Sequence, residues 1–254
     1  MKRWTMGIVV AGLLFAGAPL VAQKTPDLGE VTIWKVKDGA AAAFAEGRKK
    51  HMDFHRQQKD TWSWYTWEIV NGDRSGQFIT GSFDHYWKDF DGREAFDVLD
   101  SADVAKTFGP HATLVTTGTW TLMREMSRAQ PGATGPAKLS QLTHYHVKPA
   151  EVPAFEDALK EITAALTKIE WPVHSQWYRL VSGGEGPHYV LSTPRASWAD
   201  FAPQDKSLLE GLTEAVGARR ATELLATVRG ATKSFYGEVM AYRPELSYQA
   251  PVAK

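Results

Sequence analysis

Four of the eight histidines fall in the second half of the chain: His144, His146, His174 and His188. His144 and His146 stand two apart in a β-prone run, so a strand there turns both imidazoles to one side. His188 opens a later run of strand type. If those strands are neighbours, three imidazoles share one face, a set that could ligate zinc, copper or haem iron. No carboxylate is spaced to partner them, and histidine is common on half-buried strands. The expectation is therefore no cofactor and no metal; His144, His146 and His188 are the candidates should haem or a metal be bound. His51 and His55 stand four apart on one face of a helical stretch, a chelating spacing. Lys49, Lys50 and Arg56 surround them and no Glu follows His51, so this pair reads as a solvated helix face.

Aromatic residues form the other chemical signal. Trp62, Trp64, Tyr65 and Trp67 crowd one strand, and Trp177 with Tyr178 occupies a comparable place later. Alternation separates Trp62 and Trp64 from Tyr65 and Trp67, so one aromatic side is left to face a cavity. Tyr65, Trp67, Gln176 and Tyr178, with His144, His146 and His188, are the expected ligand-binding residues. An apolar wall with a few polar handles suits a small apolar molecule. No catalytic residue is assigned, because no nucleophile elbow, phosphate-cradling loop or Ser/His/Asp pattern is present. Gly183-Gly184-Glu185-Gly186 joins two strands instead of opening a helix, which makes it a turn.

The elements that must position these groups recur within the chain. Offset by 111 residues, Thr32, Val36 and Lys37 fall on Thr143, Val147 and Lys148, and Ala43-Phe44 on Ala154-Phe155. Trp87, Asp89 and Phe90 fall on Trp198, Asp200 and Phe201 in the same register. A repeated unit is the simplest source of such a match. In the first copy strands are expected over 31–37, 62–70, 77–83 and 116–126, with helices over 40–58 and 96–108. In the second, strands cover 142–148, 173–181, 188–192 and 235–242, and helices 151–168 and 207–232. In each Trp-x-Asp-Phe element the Asp is expected to cap a helix while Trp and Phe plug the helix–sheet seam. The divisions are a signal peptide over 1–22, modules over 29–127 and 139–246, a Pro/Gly-rich linker over 128–138, and a disordered tail over 247–254.

Bulk properties narrow the function classes. Lys2 and Arg3 precede an uncharged apolar run too short to span a bilayer, with Ala22 as a cleavage position, which predicts export to the periplasm or beyond. There is no cysteine, which excludes a disulfide scaffold and a lipid-anchored form. Removing 1–22 leaves 27 basic and 29 acidic residues, a net charge of −2. No basic stripe remains for nucleic acid, and no later segment should enter a membrane.

Strand, helix, hairpin, helix, strand is the ferredoxin-like order. With its aromatic hairpin, Trp-x-Asp-Phe pattern and second copy, the chain resembles the dimeric α/β-barrel superfamily, which includes antibiotic-biosynthesis-monooxygenase-like, haem-degrading and NIPSNAP-type proteins. The resemblance implies an α+β chain of tandem duplicated β-α-β-β-α-β modules. Their two four-stranded sheets would pack face to face around a cavity as an intrachain barrel, with a homodimer as a further association. Haem-degrading members use an Asn near the first strand, a Trp, and a His on the second helix. Here the one asparagine, Asn71, lies in a turn, the helix after Trp198 has no histidine, and His111 follows Gly109-Pro110. The expected function is an exported small-molecule-binding or interaction protein, the alternative a cofactor-free or haem-dependent monooxygenase.

Overall fold

The computed structural model describes residues 23–133 and 135–251; the expected signal peptide lies outside them. Among the described residues no helix is long and apolar enough to cross a membrane. Among the described residues, runs of β-branched and aromatic residues form eight strands. β1 (Leu28–Val36), β2 (Tyr65–Asn71), β3 (Gln77–His85) and β4 (Ala112–Leu122) lie in the first half. β5 (Leu139–Val147), β6 (Gln176–Ser182), β7 (His188–Arg195) and β8 (Thr232–Tyr242) lie in the second. The helices are α1 (Ala41–Gln58), α2 (Trp87–Asp91), α3 (Glu94–Lys106), α4 (Val152–Lys168), α5 (Leu208–Val216) and α6 (Ala218–Ala231).

The strands close into one antiparallel barrel in the order β1-β3-β2-β8-β5-β7-β6-β4. Each half contributes four neighbours, β4-β1-β3-β2 and β8-β5-β7-β6. They meet edge to edge at two seams, β2 with β8 and β4 with β6. This differs from two sheets merely stacked across a cavity. An open edge leaves a row of unpaired N–H and C=O groups, and pairing the edges of the two halves satisfies both rows. The outer faces are covered by helices. On α4, Phe155, Leu159, Ile162 and Leu166 form one buried stripe against Trp177 and Tyr189.

Several local expectations need correcting. The last helix breaks in two at Gly217, whose φ of +82° no helix accommodates. The tail is ordered at its start: Tyr248 is buried, bridges to Trp64, and donates its hydroxyl to the Asp60 carbonyl at 2.8 Å. Asp89 and Asp200 do cap, accepting the backbone N–H of Tyr86 and Ser197. Trp87 and Trp198 do not plug a seam, for each is about half exposed, at 50% and 55%. His51 and His55 are 2% and 1% exposed, so they are no solvated helix face. Lys49 and Arg56 point elsewhere, to Glu46 and Asp53.

Candidate functional site in the barrel lumen

Period-2 alternation sends one side of every strand into the barrel. The lumen holds a cavity of about 640 Å³. Its walls are mostly apolar: Val31 and Ile33 from β1, Ile79 and Phe83 from β3, Leu142 from β5, Val190 from β7. Tyr65 and Trp67 line it from β2, and Gln176 and Tyr178 from β6. The linker also lines the cavity through Arg128, Ala129, Gln130 and Pro136. Burial, then the nearby Asp84 carboxylate, pushes the Tyr178 phenol up to about 12, so it stays a neutral hydrogen-bonding group. The indole Nε1–H of Trp67 is buried and has no acceptor among the described residues.

His144 and His188 stand together on one wall because β5 pairs with β7. The pairing sets His146 directly opposite His188, and their rings stack at 4.4 Å, but His146 does not line the cavity. His174 falls in the loop before β6 and also stays outside the lining. Sequence reasoning found no carboxylate for these histidines; the structure supplies one from β8. Glu238, 3% exposed, lies 3.1 Å from His144 Nε2 and forms a two-pronged pair with Arg74 of the β2–β3 turn. Its signal was legible in principle, as the lone acid in an otherwise uncharged strand running from Phe235 to Tyr242.

The protons on this wall follow from the acid at its base. Burial would raise Glu238, but bonds from His144 and Arg74 outweigh it and hold the carboxyl below its usual range. An ionised carboxylate only accepts, so His144 Nε2 carries the proton and donates to it. Burial lowers His144, which keeps the ring neutral and leaves its Nδ1 as an acceptor. That nitrogen lies 3.0 Å from His188 Nε2, which must then be the donor. His188 Nδ1 is left with a lone pair and has no partner among the described residues. Burial, then the neighbouring His144, His146 and Arg74, lowers His188 to about 3. Trp120 packs edge-on against His188 at 5.0 Å, and Tyr236 stacks on His144 at 4.4 Å. The result is a directed chain, His188 to His144 to Glu238, able to receive a proton at the cavity wall.

No protein-family model matches the chain, and no curated protein does. Solved structures do. A candidate monooxygenase from Lactobacillus acidophilus NCFM superposes with a TM-score of 0.53 at 12% identity, over 89% of this chain and 97% of that one. An anthrone oxidase-like protein gives 0.52 at 12% identity, over 88% and 94%. Chlorite dismutase from Candidatus Nitrospira defluvii, in complex with imidazole, gives 0.52 at 10% identity, over 88% and 94%. These are dimeric α/β-barrel proteins, and at such identities the likeness shows that fold.

The comparison overturns the expectation of no cofactor, since chlorite dismutases are haem proteins and this architecture therefore carries a cofactor in other chains. Geometry decides whether the lumen imidazoles suit that group. A haem ligand normally turns Nε2 to the iron, but Nε2 of His144 is bonded to Glu238 and Nε2 of His188 to His144. The free Nδ1 of His188 lies beside its own Cβ, where a porphyrin would collide. The lumen histidines as arranged do not form a haem site.

Proposed function

We propose that the lumen binds a small, flat, mostly apolar aromatic molecule with one acidic proton and starts its oxidation by removing that proton. The observation that carries this reading is the unbonded His188 Nδ1, backed by His144 and Glu238, on the wall of an aromatic cavity. Trp67 supports it, because a carbonyl or phenolate oxygen on the bound molecule would satisfy the buried indole N–H. So does the likeness to a candidate monooxygenase and an anthrone oxidase-like protein.

Burial makes His188 a weak base. An anion forming beside it raises its proton affinity, and Glu238 at the far end stabilises the resulting positive charge. Deprotonation of an activated CH₂ group leaves an electron-rich anion that dioxygen can oxidise. One oxygen atom becomes the new carbonyl, and the other leaves as water with the two hydrogens lost from carbon. The recurring strand order supports an origin of both halves in one duplicated unit. The signal-like pattern of residues 1–22 supports a site of action in the periplasm or outside the cell.

The test is a titration of purified protein with anthrone, followed anaerobically by tryptophan fluorescence and then aerobically by oxygen uptake. Saturable quenching and uptake of one dioxygen per quinone formed are expected. His188→Ala should retain quenching while turnover falls about 10²-fold or more. Binding without oxygen uptake would replace this reading with a ligand-carrying role; the absence of quenching by anthrone and simple phenols would remove the lumen as a site for either.

A further inference from the structure

The seam between α1 and the first-half sheet holds a polar cluster in a place the second half fills with hydrocarbon. At the 111-residue offset, Arg48, His51 and His55 correspond to Leu159, Ile162 and Leu166, all in the apolar core under α4. On α1 these three are instead 3%, 2% and 1% exposed polar side chains. Buried polar groups cost stability unless every donor and acceptor is met. The arrangement of donors and acceptors here is specific.

His55 Nδ1 lies 2.9 Å from Asp60 Oδ2, and His51 Nδ1 lies 2.7 Å from Asp103 Oδ2. Asp60 also accepts from Arg93 at 2.9 Å, from the Trp64 indole at 2.9 Å and from the Trp62 backbone at 3.1 Å. Each ring thus turns Nδ1 to a carboxylate oxygen, and a neutral imidazole that donates there keeps a lone pair on Nε2. The two Nε2 atoms point at one another across 3.1 Å. Asp100 of α3 brings Oδ1 to 3.4 Å from His51 Nε2 and 3.3 Å from His55 Nε2. Two imidazole nitrogens and a carboxylate oxygen thus converge on one point, as the ligands of a bound cation do.

We propose that His51, His55 and Asp100 bind a divalent transition-metal ion of the zinc class, with Asp103 and Asp60 orienting the two imidazoles. A tetrahedral site with bonds of about 2.0–2.1 Å has ligand-to-ligand edges of about 3.3–3.4 Å, which the three observed separations approach. Carboxylates behind both histidines are the usual outer shell of such a site, since they fix the tautomer and raise ligand basicity. Asp60, Asp100 and Asp103 bring three negative charges to the seam, against two positive ones on the buried Arg48 and Arg93. The Asp100 side chain is 27% exposed, which leaves a solvent path and a place for a fourth, water ligand. The ion would fasten α1 to α3 on the outside of the barrel, on the opposite side of the sheet from the lumen.

The experiment uses the untagged chain, stripped with chelator, dialysed, and titrated with cobalt(II) and then zinc(II). One equivalent of cobalt should give the visible absorption bands of a tetrahedral nitrogen–oxygen site, and zinc should displace it and raise Tm. Asp100→Asn should keep the far-ultraviolet circular dichroism of the parent but weaken cobalt binding at least 100-fold. His51→Gln serves as the second ligand variant. His188→Ala should bind cobalt as the parent does, which separates this site from the lumen histidines. The proposal is overturned if the parent shows neither cobalt bands nor zinc stabilisation, the cluster then holding a shared proton. It is equally overturned if the bands survive both ligand variants or vanish in His188→Ala.

Discussion

Trp67 buries an indole N–H that the surrounding residues leave without an acceptor. Replacing it with Phe removes that unmet donor at little cost in volume, so Trp67→Phe should change unfolding free energy by no more than about 1 kcal/mol. Affinity for an oxygen-bearing aromatic ligand should fall about tenfold, equivalent to about 1.4 kcal/mol; unchanged affinity would mean the indole does not reach the ligand. His188 governs a second prediction. Its folded pKa of about 3 lies below the ordinary value of 6.5, so between those limits the unfolded chain binds the proton that the folded chain refuses. Stability must then fall as pH drops from 6.5 toward 3. His85, lowered by burial to about 4, adds to the same slope. Urea midpoints should decline across that window and decline less in His188→Gln; parallel slopes would show that His188 is not the titrating group. At this scale the sequence revealed which residues mattered better than whom they would meet. The approach of His144 to His188 could be read from strand alternation and sheet order. Glu238 was legible only as the lone acid of its strand; its partner is fixed by the β5–β8 register, which sets it opposite Leu142 and Tyr236 opposite His144. His51 and His55 were misjudged because their sequence neighbours are basic, whereas their carboxylates come from α3 and the loop after α1.

Among the elements, strands were the most readable, because a two-residue period leaves few alternatives. The long final helix was not. An apolar stripe runs through residues 207–232, but Gly217 takes φ +82° and ψ 153°, a conformation nearly reserved for glycine. The break allows α5 and α6 to pack separately onto α4, with Leu212 and Leu224 both buried there. A Cβ at Gly217 would meet nothing within 4 Å, so substitution should act through the backbone alone. Gly217→Ala should cost about 1–3 kcal/mol, seen as a lowered denaturation midpoint with ligand binding intact. A neutral result would show that the kink relaxes into a continuous helix.

At the scale of the molecule, the two halves cannot be treated as separate domains. Trp67 and Ile79 from the first half share one apolar cluster with Leu142, Val190 and Met240 from the second. Both seams also carry backbone hydrogen bonds, and Arg243 reaches across one of them to Glu68 at 2.9 Å. Opening either half would expose the lumen surface of both. Chemical unfolding should therefore be one cooperative transition, with fluorescence and circular dichroism midpoints coinciding; two separated midpoints would show that each half holds together alone.

The stretch between β4 and β5 has a consequence for handling the protein. It is covalently the sole tie between the halves, yet it also borders the cavity, and the ladder bonds at both seams hold the halves together without it. A protease that nicks the exposed run from Gln130 to Ala133 should yield two fragments that co-elute under native conditions and part only in denaturant. Such a nicked species would keep its wall of imidazoles while exchanging bound aromatic molecules faster than the intact chain.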